Sequence, residues 1–526
     1  MRRLLLVGFW CLFPMIASAD AQTLKLPAIL GDHMVLQQDM PARLWGWAQP
    51  GQTVTVQASW DTKTHTAKAD EKGRWRVQTA PPRAGQHYTV TISAGNETIR
   101  LNDILAGEVW LASGQSNMHM SMTPNPPGHQ GPLNAEAEIA AAHFHQIRLF
   151  QMKLDSATKP KNNCRGKWRI CTPTNVGEFS AVGYFFARDL HHTLHVPIGV
   201  IHASCGGTRA ESWTPRQTLD TLPFLQDTLK IKDEMIAQWP AKVERFEKQA
   251  NAWIKTALQQ LNRGLRAAPA PKPPVRTLPK NDPAGLFNGM IAPLTPLAIR
   301  GVIWYQGEAN AVTAEQYHPL FSAMIEAWRN AFNQPAQPFY FVQLANWDTS
   351  KALVTSDGWA CLREAQLKTY RTVSHTGMAS AVDIGQTETI HPRNKQEVAR
   401  RLLRWALAKT YDRDTVCSGP LFVSAKTRDR ALIATFESIG SGLVLREAPT
   451  SGFELAGSGR RFVPARARIE NDTVIIEADE IEQPVAVRYA WKDNPVSTLY
   501  NREGLPASPF RTDDWPVQCA GKAKGN

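Results

Sequence analysis

The stretch Val109-Trp110-Leu111-Ala112-Ser113-Gly114-Gln115-Ser116-Asn117-Met118 decides how the chain is read. Four apolar residues in a row, bounded by glycine and polar residues, read as a strand buried on both faces. A serine just past such a strand, between Gly-Gln and Asn-Met, sits on the first turn of a helix. There its Oγ is exposed and its own N–H points at a developing oxyanion. A helix cap uses the same residue type, so this stretch alone leaves both readings open.

Working outward, the same style recurs from residue 104. Ile198-Gly199-Val200-Ile201-His202, Val302-Ile303-Trp304-Tyr305, Phe339-Tyr340-Phe341-Val342 and Ala379-Ser380-Ala381-Val382 are short apolar runs. They alternate with helix-like stretches at 178–191, 315–332 and 395–410. Buried strands alternating with helices predict a parallel sheet flanked by helices, an α/β domain over 104–411. Within it, 225–263 reads as one long charged helix, followed by the Pro-rich tract Ala268-Pro269-Ala270-Pro271-Lys272-Pro273-Pro274. That pattern predicts an insertion over about 225–280. On the N-terminal side, 20–103 holds period-2 stretches such as Thr53-Val54-Thr55-Val56 and Tyr88-Thr89-Val90-Thr91-Ile92, separated by Gln49-Pro50-Gly51 and Pro81-Pro82-Arg83-Ala84-Gly85. They predict a β-sandwich module. Leu432-Ile433-Ala434-Thr435-Phe436 and Val474-Ile475-Ile476-Glu477-Ala478 predict a second β-rich module over 412–526.

The length of 526 residues fits about three domains. With 43% hydrophobic residues the chain has material for a large core, which excludes a disordered or fibrous protein. The formal charge of +12 suits nucleic acid, an anionic surface or an acidic substrate. The basic residues are scattered among 17 Trp, which argues against nucleic acid. Arg2 and Arg3, the apolar run Leu4 to Phe13 and Ala17-Ser18-Ala19 have the form of an export leader over residues 1–19. A periplasmic or secreted protein is expected, with no membrane insertion, because no later stretch reaches the ~18 apolar residues of a span.

Six cysteines follow the leader, and an oxidising compartment permits disulfides. Cys164 and Cys171, flanking Arg165-Gly166-Lys167-Trp168-Arg169, are the first expected pair, and Cys417 with Cys519 the second. No CxxC or His/Cys cluster at metal spacing occurs, so no zinc is expected.

Three more strand ends carry polar sequences. Ala203-Ser204-Cys205-Gly206-Gly207-Thr208-Arg209 offers glycine N–H groups to a ligand. In Trp304-Tyr305-Gln306-Gly307-Glu308-Ala309-Asn310, amide and carboxyl groups follow directly on an apolar strand, where burial without purpose is costly. Asp383-Ile384-Gly385-Gln386-Thr387-Glu388-Thr389-Ile390-His391-Pro392 supplies a histidine in a loop after a strand.

In the order Ser, Gly, Gln/Asn, His, these blocks resemble those of the SGNH hydrolase superfamily. Gly114-Gln115-Ser116-Asn117-Met118, Gly206-Gly207-Thr208, Trp304-Tyr305-Gln306-Gly307-Glu308 and Ile390-His391-Pro392 resemble more narrowly the bacterial sialate O-acetylesterases, a family of carbohydrate acetylesterases. Asp32-His33-Met34-Val35-Leu36-Gln37-Gln38, Leu286-Phe287-Asn288-Gly289-Met290 and Leu362-Arg363-Glu364-Ala365-Gln366 extend the likeness. The resemblance implies an SGNH-like fold and a serine esterase releasing acetate from an acetylated sugar, with no metal or cofactor. It puts the nucleophile on Ser116 and the base on His391. The oxyanion donors are then the N–H groups of Ser116 and Gly207 (or Gly206), with Gln306 first and Asn310 second among the side chains. Gln115, Asn117, Arg209, Glu308 and Arg363 are the implied substrate contacts, with Arg393 as a further cation. The superfamily's last block is Asp-x-x-His, but Glu388 stands three residues before His391. Glu388, Asp383 or a Ser–His dyad are the resulting alternatives. Cys205 stands where the family has Trp, which bears on the acyl pocket. An acetylesterase for xylan or another plant glycan, and a glycan-binding protein without turnover, are the competing functions.

Overall fold

The computed structural model describes residues 24–274, 280–350 and 357–519. The expected leader lies outside the described residues, as do residues 275–279 of the expected insertion. Seven strands form the central sheet: β1 (Glu97–Gly114), β2 (Phe144–Met152), β3 (Gly166–Cys171), β4 (Ile198–Ser204), β5 (Gly301–Tyr305), β6 (Phe339–Gln343) and β7 (Thr376–Ser380). Their order is β7-β6-β5-β1-β4-β2-β3. All neighbours are parallel except the edge strand β3, which runs antiparallel to β2. Every residue of β4, β5 and β6 is buried, as strands covered on both faces require.

The cover comes from helices α1 (Ser116–His119), α2 (Ala181–Leu194), α3 (Tyr317–Phe332), α4 (Gly358–Thr372) and α5 (Lys395–Lys409). Alternation along the strands assigns them to faces. Trp110 pairs in register with Gly301, while Trp304 pairs with Ser113, so the two indoles point to opposite sides of the sheet. Trp110 meets Phe186 of α2 edge-on, with ring centroids 5.1 Å apart. Trp304 packs against Phe321 and Trp328 of α3. The central architecture is therefore a mixed sheet between two helical layers.

β1 is 18 residues long and serves two assemblies. Its first half pairs with His87–Ala94 and its second half with β4 and β5. The expected boundary at 103/104 thus falls inside one strand, and a single apolar core runs from Leu24 into the helical layers. Asp103 marks the bend, with φ 53°. Its carboxylate accepts hydrogen bonds from Arg148 at 2.6 and 3.2 Å, and also meets His33 and His87. Beyond α5, antiparallel sheets between Leu421 and Arg511 enclose a second core.

Two expectations are corrected. The charged stretch 225–263 forms two helices, Gln226–Ala237 and Trp239–Asn262, because Pro240 has no N–H and starts a new helix. The disulfide joins Cys361 of α4 to Cys519, while Cys164, Cys171 and Cys417 are free. Cys164 precedes the extended strand β3, and Cys171 is its last residue. At ~3.3 Å of rise per residue, their separation is roughly 20 Å, far beyond disulfide reach. Replacing Cys361 or Cys519 by Ser opens a link closed across 158 residues. The expected loss is about 2–5 kcal/mol of unfolding free energy, read as a lower denaturant midpoint.

Candidate active site

Register brings three strand ends level, because Gly114 of β1 pairs with Ser204 of β4 and with Tyr305 of β5. The chain visits β2 and β4 on one side of β1 before crossing to β5 on the other. This switch point is where open α/β sheets bind ligands. Gly114 has φ 137°, and a Cβ there would stand 2.2 Å from the Tyr305 carbonyl oxygen. Only glycine fits. The Gln115 N–H donates to that carbonyl at 2.9 Å, and the chain turns into α1.

Gln115, not Ser116, holds the N-cap position, so the capping alternative for Ser116 falls away. The Gln115 Oε1 accepts from the Ala309 N–H at 3.2 Å and the Gly307 N–H at 3.5 Å, tying the β5 loop down. Gly206 lies against the serine, since a Cβ on it would be 3.5 Å from Ser116 Cβ. Among the described residues, the N–H groups of Ser116, Gly206 and Gly207 donate to no acceptor.

Ser116 and His391 line one cavity of about 1180 Å³, together with His119 and His129. They do not hydrogen-bond to each other directly; such bonds commonly tighten only with substrate bound. The Gly128 carbonyl faces the His391 imidazole and favours its protonated form. Burial outweighs it and, with the charges of Lys395 and His129, holds the imidazole below its ordinary pKa.

Behind the cavity wall, Asn117 connects the two loops. Its Nδ2 donates to Glu308 Oε1 at 2.5 Å and to the Ile390 carbonyl at 3.0 Å. Its Oδ1 accepts from Lys395 Nζ at 2.6 Å. The residue after Ser116 therefore holds the residue before His391. Burial raises the Glu308 pKa and lowers that of Lys395, while each charge favours the other's ionised form.

A family model for a carbohydrate esterase, sialic acid-specific acetylesterase, matches residues 285–408. Sialate O-acetylesterases from Mus musculus and Homo sapiens are 29% and 28% identical, covering 92% and 97% of this chain and 94% and 98% of their own. The crystal structure of a novel carbohydrate acetylesterase from Xanthomonas citri is 35% identical, with a TM-score of 0.78 over 94% of this chain and all of that one. The chain belongs to the carbohydrate acetylesterase family.

Several residues assigned from sequence stand elsewhere in the esterase. Gln306 is fully buried. Its Nε2 donates to the Thr208 carbonyl at 3.1 Å and to Asn310 Oδ1 at 2.8 Å, and its Oε1 accepts from Tyr317. With both amide hydrogens engaged, it braces the glycine turn rather than facing the cavity. Asn310 Nδ2 is likewise bonded inward, to Glu211 at 2.9 Å. Arg363 is fully buried and donates to the carbonyls of Leu344, Ala345, Lys492 and Asp493, so it clamps the C-terminal module to the sheet. Arg209 pairs with Glu211, and Arg393 donates to the Gly131 and Pro132 carbonyls. Gln115, Asn117 and Glu308 are buried in the supporting network. Cys205 is buried and its N–H donates to the Gly114 carbonyl at 3.1 Å.

Glu388 is exposed and has no hydrogen bond or ion pair among the described residues. Asp383 is bound by Arg401 at 2.6 and 2.9 Å. Among the described residues, neither Glu388 nor Asp383 makes a hydrogen bond or ion pair to His391. Gly128, His119 and His129 were not singled out in the sequence. The i, i+3 spacing of Ser116 and His119 on one helical turn is the signal that could have found His119.

Two outcomes follow for the esterase. Glu388→Gln should lower kcat/KM for 4-nitrophenyl acetate by less than about threefold, since an exposed side chain without partners carries little. The acid limb of the pH–rate profile should have its midpoint below His391's ordinary value of 6.5, because a lowered pKa keeps the base neutral further into acid. Lys395→Met removes a neighbouring positive charge and should move that limb upward in pH.

Proposed function

We propose that the protein is an SGNH-type serine esterase hydrolysing O-acetyl esters of sialic acid. The observation that carries the chemistry is the Asn117 bridge, which fixes the loops of Ser116 and His391 on one cavity. His391, neutral at pH 7, takes the Ser116 hydroxyl proton as Oγ attacks the acetyl carbonyl carbon. The developing oxyanion receives the N–H groups of Ser116 and of Gly206 or Gly207. Each such donor is worth roughly 3–4 kcal/mol in the transition state. His391 then gives its proton to the departing sugar oxygen, leaving an acetyl-serine. Water, deprotonated by the same imidazole, hydrolyses that ester to acetate and restores Ser116. The exposure of Glu388 and the engagement of Asp383 by Arg401 support reading the pair as a Ser–His dyad.

Sialic acid as the sugar is supported by the names of the mammalian relatives and of the family model. The Cys361–Cys519 disulfide supports export, which the leader-like residues 1–19 also suggest. Ser116→Ala is expected to lower kcat for 4-nitrophenyl acetate hydrolysis about a millionfold, as for loss of another serine nucleophile. Activity close to wild type would remove Ser116 as nucleophile. Acetate release from 9-O-acetyl-N-acetylneuraminic acid, compared with acetylated xylan, tests the sugar. Release from xylan alone would replace the sialate reading with a plant-glycan one.

A further inference from the structure

The floor of the catalytic cavity is the outer face of β2 and β3. Gln151 pairs with Lys167 and Leu149 with Arg169, and alternate residues share a face. Phe150 and Trp168 point the other way, into the core, with ring centroids 5.3 Å apart. Lys167 and Arg169 therefore stand on one face of β3, and Arg165 immediately precedes the strand. All three line the cavity that holds Ser116 and His391, and Lys153 joins them from the end of β2. One carboxylate, Glu178, faces these four cations.

Among the described residues, none of the four makes an ion pair, whereas Arg148, Arg188, Arg300 and Arg401 all do. Edge strands often carry lysine to block sheet-to-sheet pairing. That accounts for charge on β3 but not for its gathering in the same cavity as the nucleophile. A cleft lined by one sign of charge focuses its field and concentrates the opposite ion. Two guanidinium forks suit the two oxygens of a carboxylate. The volume of about 1180 Å³ exceeds the roughly 300–1,000 Å³ usual for small ligands, so a whole sugar fits beside its acetyl group.

The geometry points to a carboxylate-binding subsite on this face of β3, which holds an acidic sugar while its acetyl ester reaches Ser116. The inference rests on the esterase reading of Ser116 and His391, and it deepens the choice of an acidic sugar. Sialic and uronic acids share the chemistry, and the experiment separates them.

The test is competitive inhibition of 4-nitrophenyl acetate hydrolysis by N-acetylneuraminic acid, its methyl ester and glucuronic acid. A charge-assisted contact predicts that N-acetylneuraminic acid inhibits about tenfold more tightly than its uncharged methyl ester. The preference should shrink as ionic strength rises. In Lys167→Gln/Arg169→Gln the ratio of the two inhibition constants should fall towards one. Lys167→Gln alone, at an exposed position, gives a second reading should the double variant fold poorly. Equal inhibition by acid and ester in the wild type, or an unchanged ratio in the variants, overturns the subsite. Preferential inhibition by glucuronic acid, with no acetate released from O-acetyl sialic acid, keeps the subsite and overturns the sialate reading instead.

Discussion

The site depends on one close approach, between the end of β1 and the end of β5. Where Gly114 lacks a Cβ, the Tyr305 carbonyl comes in and accepts the Gln115 N–H at 2.9 Å. On the other side the Gly114 carbonyl accepts the Cys205 N–H at 3.1 Å. Three strand ends are thereby held level, and the chain must turn at once into a helix that begins with Ser116. A side chain at 114 would push β5 away and separate the serine from both the glycine turn and the loop of Gln306.

Around that approach lies a layer of buried polar residues that are bonded to one another rather than to a ligand. Gln115 holds the β5 loop, Gln306 holds Thr208, Asn310 holds Glu211, and Asn117 holds Ile390 and Lys395. Buried amides without partners are costly, and here each finds one. The motifs of this family therefore do two different kinds of work. Ser116 and His391 line the cavity, whereas the Trp304–Glu308 block only supports the loops around them. The proposed Ser–His pair gains from such rigidity, since the Asn117 bridge to the Ile390 carbonyl fixes the loop that carries His391.

The modules at either end are coupled to this core by different means. The N-terminal strands share β1 and a common apolar core with the central sheet. The C-terminal module keeps its own core and is joined through Arg363, the Arg511–Glu364 pair and the Cys361–Cys519 disulfide. Its place in a family segment makes Arg363 look like a substrate contact in the sequence. Its four carbonyl partners come from residues distant in sequence, and no local pattern announces them.

By itself the sequence determined the local elements: the apolar runs that become β1, β4, β5 and β6, and the helices at 181–194, 317–332 and 395–409. Periodicity and strand-ending glycines are encoded within a few residues, so they can be read without the fold. It also placed Ser116 and His391 on strand-end loops. The tertiary structure decided which polar residues face the cavity and which support it. Burial of Gln306 and exposure of Glu388 are set by neighbours dozens to hundreds of residues away. It likewise decided the disulfide, because an extended strand holds Cys164 and Cys171 apart. The stretch Arg165-Gly166-Lys167-Trp168-Arg169 reads only as a short polar stretch between two cysteines until β2 pairs with it. Only that pairing gives Lys167 and Arg169 a common face on the cavity that Ser116 also lines.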